Sequence, residues 1–526
     1  MGDGKMRVRD LADALGDNMV SVSGDMDYAP SGVANDHRLV APGGVFVCVK
    51  GFSADGHAFI PGAAANGAAV VIAQRPIEAA PPLKAIIQVR DARRALAAAA
   101  HLFYGAPTKK LKLAGVTGTK GKTTVTYMIR SILRSAGLLP GMLGTIENDI
   151  GGRILPAAET TPESSALAAL FSRMVERGCE CAVMEVSSQG LALSRVDCCE
   201  FDVGVFTNFY RDHISPNEHG GMEEYFAAKL KLFSMCRNAV INADIAEFSA
   251  VRDAFMSGGG GGGGACVAYS ADGASPNRGA ADVRASRIEL LYDGGRAYTR
   301  FYAETPWFCD TVTVGLPGRY NVSNALAALS VCLMFGVAKE AVLQGLRGVS
   351  VRGRTQPVEE GQKFTVLVDY AHNAGSLEAL LAMLREYDFK NITTVFGCGG
   401  NRARDRRFSM GEVSGRRSDF TIVTSDNPRK EDPAMIMDDI VTGLKRTNGR
   451  YILIEDRREA IKYAIENARE GDLVLLAGKG HETEQTFADR TIHFDDAQVA
   501  GEILRGLHCT KDNMADVAKR RDRTGE

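Results

Sequence analysis

The chain has 526 residues, 45% hydrophobic and 24% charged, with a formal net charge of −2 at pH 7. This is the composition of a soluble globular protein of about three domains, and so small a net charge offers no strong field to nucleic acid or an anionic membrane. No apolar run is long enough to span a bilayer, and the start Met-Gly-Asp-Gly-Lys-Met-Arg lacks the apolar core of a signal peptide, so no stable membrane insertion is expected. The eleven cysteines are scattered, with no CxxC pair. Cys179, Cys181, Cys198 and Cys199 read as small buried residues, and a reducing cytoplasm is the expected location.

Residues 1–108 alternate apolar segments and turns, with strands at Val45–Val49 and Ala69–Ala73 and a helix from Arg93 to Phe103. They carry no catalytic signature and read as a small N-terminal α/β domain that holds part of a ligand. Pro107 and Lys109-Lys110 mark a linker.

From 109 to 347 strands and helices alternate, which favours a largely parallel sheet. An apolar strand, Leu111 to Val116, runs into Gly118-Thr119-Lys120-Gly121-Lys122-Thr123-Thr124, and a helical stripe from Val125 to Ala136 follows, stopped by Gly137. Strand, glycine-rich loop and helix present backbone N–H groups and a helix N-terminus to phosphate. Lys122 is placed to reach the β- and γ-phosphates and the Thr123 hydroxyl to sit on Mg²⁺. The motif is a variant, because Val116 stands where a P-loop has its first glycine.

Further strands are expected at Cys181–Val186, Val203–Thr207 and Ala239–Asn242, each followed at once by polar residues. Ligands of open parallel sheets bind outside the carboxyl ends of strands, so these clusters are expected to converge on the P-loop crevice. Glu185 is a candidate Mg²⁺ ligand. His213 is either a second ligand or a structural histidine. Lys229, in Glu223-Glu-Tyr-Phe-Ala-Ala-Lys229, reads from the residues alone as a solvated helical lysine paired with Glu224 or Glu223. Gly258 to Gly264 reads as a flexible surface insertion and residues 266–314 as a β-meander.

From 348 the pattern restarts as a Rossmann-like α/β domain ending near 510, with strands at Phe364–Val368, Ile392–Phe396, Phe420–Thr424 and Leu473–Leu476. Arg354, Arg402 and Arg429 follow strands or turns, where a guanidinium fork suits carboxylate or phosphate and a structural ion pair is the alternative. Residues 511–526 read as a loose charged tail.

These motifs together resemble the Mur ligases, the cytoplasmic ATP-dependent amide ligases of peptidoglycan synthesis, and among them the tripeptide synthetases that add the third stem-peptide residue. The resemblance is carried by Gly118–Thr124, Thr160-Thr-Pro-Glu163, Glu185-Val-Ser-Ser-Gln189, Asp212-His213, Ala227-Ala-Lys229, Gly318-Arg-Tyr-Asn-Val-Ser-Asn324, Gly353-Arg354, Asp369-Tyr-Ala-His372, Asp426-Asn-Pro-Arg429 and Gly478-Lys-Gly-His-Glu482, in family order. It implies three domains: 1–108 for the uridine nucleotide, 109–347 for ATP, and 348–510, mobile, for the amino acid. It implies Thr123, Glu185, His213 and Lys229 at the metal sites, with Lys229 carbamylated, and makes Lys122, Glu185, His213 and Lys229 the catalytic set. ATP contacts are implied for Gly118 to Thr124, Asn324, Arg354, Asp369 and His372. Contacts to the UDP-muramoyl dipeptide are implied for Arg38, Thr160, Thr161, Ser187, Gln189, Arg195 and Lys229. Contacts to the amino acid are implied for Arg402, Asp426, Asn427, Pro428, Arg429, Gly478 and Glu482.

The expected reaction joins meso-diaminopimelate to UDP-MurNAc-L-Ala-D-Glu through an acyl phosphate, with ATP and Mg²⁺, in a monomer without nucleic-acid partners. Asn208-Phe-Tyr-Arg-Asp-His-Ile-Ser-Pro-Asn-Glu-His219 is closer to some lysine-adding members, so L-lysine is the alternative amino acid. Asp36-His37-Arg38 departs from the family's Asp-Ser-Arg. A folylpolyglutamate synthetase and a non-catalytic nucleotide-binding homologue are the more distant alternatives.

Overall fold

The computed structural model describes residues 6–77, 83–212, 214–215, 218–258, 263–293 and 295–507. His213, the middle of the glycine tract (259–262) and the tail 511–526 lie outside the described residues. The chain forms two compact units. One comprises Met1–Ala285, Glu304–Cys309 and Ser323–Gly345, the other Ser286–Ala303, Asp310–Val322 and Leu346–Glu526.

The first unit opens with five strands: β1 (Met19–Gly24), β2 (Val33–Ala34), β3 (Val45–Val47), β4 (Val70–Ala73) and β5 (Ala85–Val89), ordered β1-β5-β4-β3-β2. Apart from antiparallel β1, these strands pair in parallel. Parallel sheets are covered on both faces, and the side chains divide accordingly. Val45, Val47, Val70 and Ile72 pack with Val8, Leu11, Ala95 and Leu96, whereas Phe46, Cys48, Val71 and Ala73 pack with Ile60 and Ala63.

The main sheet of this unit contains β6 (Lys112–Thr117), β7 (Pro140–Leu143), β8 (Glu147–Ile150), β9 (Ile154–Pro156), β10 (Cys181–Glu185), β11 (Phe201–Phe206), β12 (Cys236–Asn242) and β13 (Cys266–Ser270). Their order is β13-β12-β11-β6-β10-β7-β8-β9. The first six are mutually parallel and the β7-β8-β9 edge is antiparallel. β6 lies between β10 and β11, and the chain leaves it one way toward β7 and later returns to fill the other side. The crevice at such a reversal is where open α/β sheets take ligands. Strand β14 (Val283–Asp293) begins here, with Val283 and Arg284 parallel to Tyr269 and Ser270.

In the second unit β15 (Arg296–Glu304) and β16 (Cys309–Val314) follow β14 in hydrogen-bonding order, whereas β13, at the start of the expected meander, pairs in parallel with β12 and β14. A six-stranded sheet contains β17 (Gln356–Pro357), β18 (Thr365–Asp369), β19 (Ile392–Phe396), β20 (Phe420–Val423), β21 (Arg450–Leu453) and β22 (Leu473–Ala477), ordered β17-β18-β22-β19-β20-β21. All but β17 are parallel. A two-stranded hairpin, β23 (Glu484–Thr486) and β24 (Thr491–His493), follows.

Beneath this sheet Arg457 forks onto Asp496, with Nε and Nη2 each donating at 2.7 Å, both side chains fully buried. Breaking a buried pair strands a charge, so Asp496→Asn is expected to cost about 3–5 kcal/mol in denaturant unfolding. A loss within about 0.5 kcal/mol contradicts that reading. Among the described residues no helix is long and apolar enough to cross a membrane. Three of the four cysteines expected to be buried are so, but Cys198 is exposed, at a left-handed φ of 67° in the turn after Arg195.

Candidate active site

The P-loop leaves β6 and enters the helix Lys122–Ser135. Val116 is paired with Glu185 inside the sheet, so the motif's first position is strand, not turn, and glycine is not needed there. Two later glycines are needed. Gly118, at φ 140°, would place a Cβ 2.0 Å from Thr207 Oγ1, and Gly121, at φ 85°, one 2.5 Å from Asn324 Oδ1. The second clash shows that Asn324, far downstream in the chain, lies against the loop. Lys122 Nζ donates to the carbonyls of Gly118 (2.9 Å) and Thr119 (3.1 Å). Lys120 pairs with Asp212 at 2.9 Å on the surface. Thr124 lies in the helix's first turn.

Glu185 ends β10 beside this helix and is 1% exposed. Its carboxylate accepts from Thr123 Oγ1 at 3.0 Å on each oxygen, from the Thr145 N–H at 2.8 Å and from Thr145 Oγ1 at 3.1 Å. The polar clusters at the ends of β6 and β10 therefore do converge. Sequence reasoning missed Thr145, which follows β7 and carries no motif signal.

Lys229 corrects the reading made from the residues alone. It is not a solvated lysine paired with Glu223 or Glu224: it is 1% exposed, and Nζ donates to the Gly118 carbonyl at 2.9 Å. Glu224 instead accepts from the Gly220 N–H at 2.8 Å. Nζ also lies 4.5 Å from the centre of the Tyr225 ring, whose hydroxyl is 3.0 Å from Thr119 Oγ1. Burial, with the Lys122 charge adding to it, lowers the Lys229 pKa from 10.5 to about 6. The helical setting was legible, but the P-loop covering it arrives from 111 residues away. Tyr225, one turn upstream, is a second residue that sequence reasoning missed.

The residues expected to hold the muramoyl dipeptide adjoin Glu185. Thr160 Oγ1 is 3.0 Å from Thr145 Oγ1, and buried Thr161 donates to the Glu185 carbonyl at 3.0 Å while accepting from the Ser187 N–H at 3.0 Å. Ser187 caps the short helix Ser188–Ala192, which contains Gln189. Arg195 Nη1 donates to the Thr161 carbonyl at 2.8 Å, and the guanidinium pairs with Glu159 and Glu163 at 2.6 and 2.8 Å. Arg38 is not drawn into this network. It is 75% exposed and forks onto Asp36, holding that carboxyl down at about 2.

In the second unit Asp369 ends β18, accepting from the N–H groups of Thr355 (2.7 Å) and Ala371 (2.8 Å). Burial raises its pKa, and the Arg354 charge works against that rise. Arg354 lies over the Tyr370 ring at 4.8 Å, and His372 Nδ1 is 2.9 Å from the Tyr370 carbonyl. The amino-acid candidates gather at the ends of β19, β20 and β22. Gly478 would place a Cβ 2.9 Å from Asp426 Oδ2. Asn427 Nδ2 donates to Glu482 Oε2 at 2.8 Å. Arg429, after Pro428, holds a left-handed φ of 54°, and its Nη1 donates to the Gly400 carbonyl at 2.7 Å. Arg402 is exposed.

Models of three Mur ligase domains match the chain in order. The Mur ligase family catalytic domain covers 31–104, the Mur ligase middle domain 116–332, and the Mur ligase glutamate ligase domain 353–480. The chain belongs to the Mur ligase family. A UDP-N-acetylmuramoyl-L-alanyl-D-glutamate–2,6-diaminopimelate ligase of Caldanaerobacter subterraneus is 41% identical over 495 residues, 94% of this chain and 98% of the relative. One from Geobacillus thermodenitrificans is 43% identical over 477 residues, 88% and 93% of the two chains. A solved structure of a ligase with the same name superposes with a TM-score of 0.72 at 27% identity, covering 96% of this chain and 99% of its own. As a Mur ligase the protein is an ATP-dependent ligase of peptidoglycan synthesis. Matching over 31–104 as well sets aside the folylpolyglutamate synthetase alternative.

Proposed function

We propose that this Mur ligase joins meso-diaminopimelate to the D-glutamyl carboxylate of UDP-MurNAc-L-Ala-D-Glu, converting ATP to ADP and phosphate. The observation that carries the choice of amino acid is the pairing of opposite polarities on one short strand. Thr486 of β23 accepts from the Arg429 N–H at 3.0 Å, and its own N–H donates to Asn427 Oδ1 at 3.0 Å, with Glu482 beyond Asn427. A cation for a carboxylate and an anion for an ammonium are thus anchored side by side, which suits the distal amino-acid end of meso-diaminopimelate. Lysine has only the ammonium. The domain ranges 1–108, 109–347 and 348–510 then serve the uridine nucleotide, ATP and the amino acid.

A carboxylate is a poor acyl donor because oxide is a poor leaving group. Transfer of the γ-phosphoryl group to a carboxylate oxygen, with ADP leaving, makes phosphate the leaving group. The substrate amine then attacks the carbonyl carbon, the C–O bond to phosphate breaks and the amine loses a proton. Positioning and charge stabilisation carry most of the work in such transfers. Lys122 supplies positive charge at the γ-phosphoryl once it exchanges its carbonyl partners for phosphate. Gly118 to Thr124 supply N–H groups, and Asn324 borders them. Arg195 and Thr161 hold the dipeptide. His213 is assigned with the metal ligands from its motif alone.

The Thr123 hydroxyl and Glu185 carboxylate are hard oxygen donors and fit Mg²⁺, whereas an amine at Lys229 does not. When bound, Mg²⁺ offsets the repulsion between ATP and the carboxylate. Carbamylation resolves the misfit, because it replaces the Lys229 amine with an oxygen anion.

Trapping with hydroxylamine tests the acyl phosphate. With ATP and UDP-MurNAc-L-Ala-D-Glu but no amino acid, a dipeptide hydroxamate is expected. Its absence, with ATP bound but not turned over, supports a non-catalytic homologue instead.

A further inference from the structure

Lys479 lies within the Gly478–Glu482 motif, yet it is fully buried. An ammonium has three donors and no acceptor. Here it faces three acceptors: the Glu484 carbonyl at 2.5 Å, Asn427 Oδ1 at 3.4 Å and Glu482 Oε2 at 3.5 Å. Two donors therefore converge on Asn427 Oδ1, from Lys479 and from the Thr486 N–H. Turning the amide over would set donor against donor, so the amide is locked with Nδ2 toward Glu482. Glu482 Oε2 then takes donors from Asn427 and Lys479 together. Among the described residues none donates to Oε1, on a carboxylate about one-third exposed.

We propose that Lys479 is a positioning residue that sets the polarity of the amino-acid pocket: through Asn427 and Glu482 it presents Glu482 Oε1 as the acceptor for the ammonium of the incoming diamino acid. This rests on the assignment of Asn427, Arg429 and Glu482 to the amino-acid site. The Lys479–Glu484 contact ties the same network to β23, the strand that anchors Arg429, so the acceptor and the carboxylate fork share one support. The network discriminates by what it offers: one oriented anionic acceptor beside one cation.

The test is steady-state kinetics of the full chain with meso-diaminopimelate and ATP varied in turn, for Lys479→Met, Glu482→Gln and the double variant. Losing a buried charged donor is expected to raise the KM for meso-diaminopimelate about tenfold or more. The KM for ATP stays within about twofold, because the three acceptors that Lys479 faces belong to Asn427, Glu482 and β23. In the Glu482→Gln background Lys479→Met is expected to add far less than it does alone, because the two act on the same oxygen. If Lys479→Met does not fold, Lys479→Gln keeps length and a donor, and an intermediate rise confined to the amino acid is expected. An unchanged amino-acid KM in the lysine variants, beside a raised one in Glu482→Gln, overturns the proposal and leaves the pocket assignment standing. So does a common rise in both KM values with a lowered Tm, which marks a purely structural lysine. An unchanged amino-acid KM in Glu482→Gln overturns the pocket assignment itself.

Discussion

Lys229→Ala is expected to lower ligation about 100- to 1000-fold, the usual loss on removing one preorganised charge-stabilising group, with the fold retained. At pH 7.5 an amine titrating at about 6 is mostly neutral and so nucleophilic toward CO₂. Its nitrogen bonds the CO₂ carbon and releases a proton, so a neutral amine beside the Lys122 cation becomes an anion, and the site becomes one of opposite charges. The wild-type enzyme should lose activity in CO₂-depleted buffer and regain it with bicarbonate, while the alanine variant should respond only to added short carboxylates. Near-normal turnover in Lys229→Ala contradicts the role.

The same burial has a thermodynamic signature in CO₂-depleted buffer. The unfolded chain keeps the Lys229 proton up to about 10.5 and the folded chain loses it above about 6. Between those values the unfolded state binds more protons, so stability rises with pH across the window. Lys229→Ala removes that slope and is most favourable, relative to wild type, below pH 6. Denaturant midpoints from pH 5 to 10 measure it, and identical profiles for the two proteins contradict the burial of an uncharged amine.

Arg429→Ala is the second large effect. The distal carboxylate of meso-diaminopimelate must leave water in the pocket, and without the fork it is left unpaired at a cost of about 2–5 kcal/mol. That corresponds to a rise of about 30-fold to a few thousandfold in KM for meso-diaminopimelate, with the KM for ATP little changed. L-Lysine has no such carboxylate, so its weaker use should be untouched or improved. Equal losses for both amino acids point to an Arg429 that only holds the Gly400 carbonyl.

What the sequence made legible was local. Strand β6, the loop and the helix after it are contiguous, and an apolar run, glycines and a 3.6-residue stripe are read within 30 residues. Strands β18, β19, β20 and β22 of the second unit were found the same way, each ending in its polar cluster, whereas β17 and β21 were not. What needed the structure was non-local. The donors around Glu185 include Thr145, from a different strand end, and Lys229 is buried by the loop after the neighbouring strand β6, 111 residues earlier in the chain. The helix Met222–Leu230 carries Glu223, Glu224 and Lys229, a pattern that reads as solvated until the P-loop covers one face. Lys479 lies inside a recognised motif, but its burial and its contact with the Glu484 carbonyl of β23 are announced by no spacing. Arg38 shows the converse: the motif match places it in the dipeptide set, while the structure shows its pairing with the neighbouring Asp36.

The assignment of meso-diaminopimelate rests finally on competition. Purified protein with ATP and UDP-MurNAc-L-Ala-D-Glu, offered meso-diaminopimelate and L-lysine together at equal concentration, yields products that mass spectrometry separates. The pocket of Arg429, Asn427 and Glu482 predicts the diaminopimelyl tripeptide as the dominant product. A dominant lysyl tripeptide would contradict it while leaving the ligase itself intact.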